Sequence, residues 1–271
     1  MMRRLLVFAL CLPNLCFALQ KRPWFGDILE FNFRPQYSYS YFKKVDHSTN
    51  SLKETFFQHL LNFNLEVTVP ETWNWQMEID FADTTPISWG YRSFALQIRK
   101  LWLDDICGDP VSLTTGITYR DSSSRLRRAL TTPFHARANF ELHTAVGKEW
   151  SQGCYWTFRT YGLFAVGQGT KGSPWLRGDL FLWRNFCDTH QLRLFAKSYW
   201  GLGDKTAVPL PDFSGWANIG HQSIDLGGSY RYQFECWGSL RFDYLHRVYA
   251  RSYPEHENIF MLTYNLPFCP F

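Results

Sequence analysis

Three sets of residues in this chain could do chemistry. The first is His221-Gln222-Ser223. On an extended strand, side chains two apart share a face, so an imidazole at 221 could take the Ser223 hydroxyl proton and make the oxygen a nucleophile. No third residue to orient the His is evident. Eight His and eighteen Ser would also give such a pair by chance with an expectation of roughly a half. The second set is charged and recurs at alternating positions: Glu30, Arg34, Glu78, Asp80, Glu141, Arg159, Arg193, Lys197, Arg231, Glu235, Arg241, Asp243 and Arg247. Lining a lumen, a row of one sign would select ions. This set is mixed and could equally close into a salt-bridge network. Its arginines gather from 159 onward, a wall that would favour anions. The third set is Cys107, Cys154, Cys187, Cys236 and Cys269. The His are scattered and no Cys or His pair has metal-ligand spacing. Neither a metal nor a cofactor is expected.

The elements that must position these residues are strands. From Asp27 to Phe42, Leu29, Phe31, Phe33, Tyr37, Tyr39 and Tyr41 fall on one parity and Glu30, Asn32, Arg34, Gln36, Ser38 and Ser40 on the other. The alternation is that of a strand with one apolar and one polar face, and it outlasts the usual half-buried soluble strand. A strand tilted across a bilayer needs about 9–11 residues. The cleanest hairpin follows, with Leu61, Phe63, Leu65, Val67 and Val69, a turn at Pro70-Glu71-Thr72, then Trp73, Trp75, Met77, Ile79 and Phe81 outward against Asn74, Gln76, Glu78 and Asp80. Continued to the end, the pattern predicts twelve strands, an all-β antiparallel transmembrane barrel. Odd connections are mostly long and polar, among them 43–54, 82–92, 121–133 and 202–217, and even ones mostly short, as in barrels with long outer loops and short periplasmic turns.

The N-terminus sets the compartment. Arg3 and Arg4, the apolar run Leu5 to Leu12 and the small-x-small site Cys16-Phe17-Ala18 form a secretion signal. The domains are therefore a leader at 1–18 and a barrel at 19–271, with Leu19 as the first mature residue. The leader carries two Arg and no acid, so the net charge falls from +4 to +2, too little to suggest a nucleic-acid partner. Mean hydropathy is slightly negative, as expected where alternation hides the apolar half. Aromatic residues make up 18% and all twelve Trp follow the leader, which interfacial girdles would explain.

At its end the chain resembles bacterial outer-membrane proteins, which commonly close on a strand ending in Phe that the insertion machinery recognises. Here Phe271 is last, yet the outward parity stops at Phe268, and Cys269-Pro270-Phe271 extends beyond it. Either Phe268 takes the terminal role or the strand shifts register near Pro267. The resemblance implies a Gram-negative outer-membrane location, lipid around the barrel, and a small porin-like channel or a structural envelope protein. His221 and Ser223 resemble the motif of outer-membrane phospholipases and lipid A deacylases, which implies lipid hydrolysis as the alternative. In that family the pair faces lipid, whereas here it shares parity with Asp225 and Arg231. Host contact through loop 121–133, with Arg125, Arg127 and Arg128, is a further alternative.

The cysteine usage resembles that of chlamydial envelope proteins, which rely on disulfides. Cys107, Cys154, Cys187 and Cys236 fall in or beside the short turns after strands four, six, eight and ten, and Cys269 lies at the C-terminal end, so all five are expected to face the periplasm. Exported thiols meet an oxidising compartment, and an odd count leaves at least one without an internal partner. A disulfide-linked envelope protein, or a second copy, is the expected periplasmic partner.

Overall fold

A computed structural model describes residues 19–70, 72–153, 155–210, 212–234 and 237–269. The leader expected at 1–18, together with Glu71, Cys154, Glu235, Cys236 and Phe271, lies outside the described residues. Twelve strands close into one antiparallel barrel: β1 Phe31–Phe42, β2 Phe56–Val69, β3 Trp73–Thr84, β4 Ile87–Leu103, β5 Ser112–Ser122, β6 Ala138–Gln152, β7 Tyr155–Gly169, β8 Trp175–Phe186, β9 His190–Gly201, β10 Gln222–Phe234, β11 Gly238–Arg251 and β12 Asn258–Phe268. Each pairs with its sequence neighbours, and β1 closes on β12. Phe31 stands opposite Phe268 at that seam and their rings stack at 5.5 Å. β12 therefore pairs through Pro267 to Phe268. Closure leaves no unpaired sheet edge in lipid.

The alternation turns the barrel inside out relative to a soluble domain. Leu180 and Leu194 are each 65% exposed on the outer face, while Asn62 and Asp80 are fully buried on the inner one. Among the described residues no helix is long and apolar enough to cross a membrane, and the strands carry the apolar belt instead.

Two expectations need correction. The first strand begins at Phe31, not Asp27. Leu29 has φ 63°, a left-handed conformation that ends extended pairing, and the chain turns there. The loop expected at 82–92 is a tight turn: β3 continues to Thr84 and β4 starts at Ile87, with pairing interrupted near Phe81 and Thr84. Irregular pairing scrambles the period of two there, which gives this stretch the pattern of a loop. The long connections, 43–55, 123–137 and 202–221, still share one end of the barrel.

Candidate functional site

The inner face is a set of ion pairs contributed by different strands. Glu66 on β2 accepts from Arg34 of β1, from Arg99 Nη2 of β4 at 2.7 Å and from Asn74 Nδ2 at 2.9 Å. Arg120 on β5 reaches Glu78 at 2.6 Å and Asp80 at 3.0 Å. Asp243 on β11 holds Arg193 at 2.5 Å and Arg241 at 2.8 Å. Arg159 donates to Glu149 at 2.5 Å. Arg247 binds Asp225 and Glu257, each at 2.7 Å, and its guanidinium lies 4.6 Å from the Tyr253 ring centroid. Arg231 donates to Gln233 Oε1 at 2.6 Å. Lys197 packs over Phe195 and, among the described residues, has no carboxylate within 4.0 Å. These charged side chains stand on the lumen side of the wall and are cross-linked over much of its length, while Glu235 lies outside the described residues.

The chain ahead of Leu29 enters the lumen. Leu19 N donates to Glu78 Oε2 at 2.9 Å, and Gln20 N to Gln76 Oε1 at 2.9 Å. Gln76 and Gln97 donate back to the Gln20 carbonyl at 2.8 and 3.1 Å. Lys21 pairs with Glu141, and Arg99 Nη1 donates to the Arg22 carbonyl at 2.7 Å. Trp24 is buried edge-on against Tyr161, with Arg159 over its ring and its Nε1 donating to Asp105 at 2.9 Å. No motif or strand period in the sequence points to this segment. Its one signal was Trp24, a large aromatic outside any strand period.

Loops close the opposite end. Leu130, Val208, Phe213, Trp216, Ile219 and Tyr253 form one apolar cluster with Phe42, Val45 and Phe56. Phe134 dips from loop 123–137 to lie under Arg92 and Arg120, 5.1 and 4.9 Å from their guanidinium carbons. Between this roof and the N-terminal segment is a chamber of about 330 Å³. Its lining carries eight basic residues and five acidic ones, Arg193, Lys197, Arg241 and Arg247 among the former.

Ser223 borders the chamber, and His221 is fully buried beneath the roof. The His221 Nδ1–H donates to the Ile219 carbonyl at 2.8 Å, and its ring is boxed by Tyr199, Trp216, Tyr253 and His135. Burial pushes His221 down to about 3, with His135 and Arg247 adding to the effect, and burial also lowers His135. Among the described residues no hydrogen bond joins His221 to Ser223, and that contact is the one a nucleophilic pair requires.

Cys107 and Cys187 lie in the turns after β4 and β8, and Cys269 follows β12. All three are exposed at the short-turn end of the barrel and form no disulfide among the described residues. Cys154 and Cys236 lie outside the described residues.

No protein-family model matches the chain, and no curated protein matches it in sequence. Solved structures do match in shape. An outer membrane channel from Pseudomonas putida F1 superposes with a TM-score of 0.66 at 10% identity, over 93% of this chain and 100% of that one. The NanC porin gives 0.54 at 11% identity, over 87% and 98%. The KdgM porin gives 0.53 at 8% identity, over 87% and 99%. At these identities the likeness is one of fold: the chain has the closed β-barrel fold of Gram-negative outer-membrane proteins.

Proposed function

We propose that this protein is a narrow, porin-like channel of a bacterial outer membrane that favours small anionic solutes and is held nearly closed by its N-terminal segment and roof loops. The observation that carries this reading is the chamber lining, eight basic residues against five acidic, an excess that persists, though smaller, when Asp80 and Asp243 behind Arg120, Arg193 and Arg241 are counted with them. A low-dielectric wall focuses such an excess into the lumen and raises the local concentration of anions. Likeness in fold to a channel and two porins supports the same class. Cleavage after Ala18 belongs to the proposal, because it frees Leu19 to end beside Glu78.

The test is a planar bilayer under a salt gradient. The expected result is small, infrequent steps whose reversal potential has the sign of anion selectivity. Cation selectivity, or silence even after the N-terminal segment is displaced, would overturn it. A structural role at the periplasmic rim is a second reading, favoured by the exposed Cys107, Cys187 and Cys269. There a disulfide-linked envelope protein or a second copy would be the partner, with outer-membrane lipid around the belt.

A further inference from the structure

A second, smaller cavity of about 40 Å³ lies between the N-terminal segment and the wall formed by β1, β10, β11 and β12. Arg22, Arg34, Arg231 and Arg241 all border it. Arg231 and Arg241 are directly opposed cross-strand partners on the inner face. Like charges in that relation destabilise a sheet. Arg231 also stands in the field of Arg22, Arg159 and Arg193.

The carboxylates do not balance this group. Glu66 pairs with Arg34 but is shared with Arg99. Asp243 pairs with Arg241 but is shared with Arg193. Glu30 acts on Arg22 only at longer range. Among the described residues, neither Arg22 nor Arg231 has a carboxylate within 4.0 Å. The Nε–H groups of Arg22 and Arg34 are buried and have no hydrogen-bond partner among the described residues. Arg34 is 1% exposed. Buried donors are almost always satisfied, and buried charge is compensated.

We propose that these four arginines bind one compact oxyanion, of the size and charge of inorganic phosphate. A water needs about 10–15 Å³ of such space, so the cavity of about 40 Å³ holds roughly three to four water-sized atoms. That suits a small oxyanion and excludes a sugar ring. Guanidinium forks match its oxygens in pairs, and Thr263 and Asn265, also at the cavity, add neutral polar groups. The anion relieves the Arg231–Arg241 repulsion and ties the N-terminal segment, through Arg22, to the wall opposite the Lys21–Glu141 pair. The site is a property of the folded barrel and does not depend on conduction.

The experiment uses the mature barrel in detergent, with inorganic phosphate as the probe. Thermal unfolding is followed while phosphate is titrated against chloride at equal ionic strength. Phosphate should raise the midpoint saturably and chloride should not, because a ligand of the native state alone stabilises it by mass action. Isothermal titration should then show Arg231→Gln weakening phosphate by about tenfold or more, the loss expected for a charge-assisted fork. Arg22→Gln, outside the strand ladder, should weaken it as well and serves if the β10 variant does not fold. Equal responses to phosphate and chloride, or phosphate affinity unchanged in a folded variant, would overturn the site. A barrel that conducts without binding phosphate refutes the site and leaves the channel standing. One that binds without conducting does the reverse.

Discussion

Replacing Trp24 with Ala should release the N-terminal segment and open the lumen. Trp24 is 3% exposed and packs edge-on to Tyr161 at 5.8 Å. Most of what the substitution removes is packing. Asp105 keeps Ser112 Oγ at 2.5 Å and the Glu149 amide at 2.6 Å. Arg159 keeps Glu149 and the Trp156 ring, 4.4 Å from its guanidinium carbon. Truncating a buried Trp costs about 3–5 kcal/mol. The hydrogen bonds that remain to residues 19–22 contribute only about 0.5–1.5 kcal/mol each. Ordering each residue costs about 1–2 kcal/mol, so they roughly offset the entropy and Trp24 holds the margin. Loss of that margin shifts the seated-to-released ratio by about a hundredfold or more, at 1.4 kcal/mol per tenfold. Single-channel recording should show long openings in place of rare ones. Trp237→Ala, 73% exposed, is the matched control and should change nothing. Indistinguishable traces from Trp24→Ala and the parent would refute the claim that residues 19–26 gate the lumen.

Three further outcomes are expected. Glu66→Ala should lower stability by about 3–5 kcal/mol, because it strands Arg34 and Arg99 as buried unpaired charges; urea unfolding from lipid vesicles checks it, and a shift under 1 kcal/mol would contradict it. The roof should loosen in acid. His221 is held near 3 in the folded state, below its unfolded value of about 6.5, so the unfolded state binds the extra proton. Stability is therefore full above about 6.5 and falls as pH drops toward 3, by about 2 kcal/mol at pH 5. Limited proteolysis of loop 123–137 should be faster at pH 5 than at pH 7.5, and His221→Phe should blunt the difference; an undiminished response would assign it elsewhere. Finally, intact envelopes run on a non-reducing gel should show a high-mass species that reductant collapses. A monomer with Cys107, Cys187 and Cys269 freely alkylated would exclude the periplasmic cross-link.

The closed barrel and the inward parity of its strands are legible in the order of residues alone. Period-two alternation is a local property, so Asn62, Glu78, Asp80 and Arg193 could be placed inward from neighbours alone, and loop lengths separated the two ends. Where pairing becomes irregular, as around Phe81 and Thr84, the period breaks and a tight turn reads as a long loop. What fills the lumen depends on contacts between distant parts of the chain. The N-terminal segment lies inside because Leu29 turns the chain and because Glu78, Gln76, Glu141 and Arg99, far away in sequence, converge to hold it. Parity says that Arg231 and Arg241 point inward, but register alone sets them side by side, facing Arg22 across a cavity. Register and closure are long-range pairings between whole strands, and no window of residues contains them.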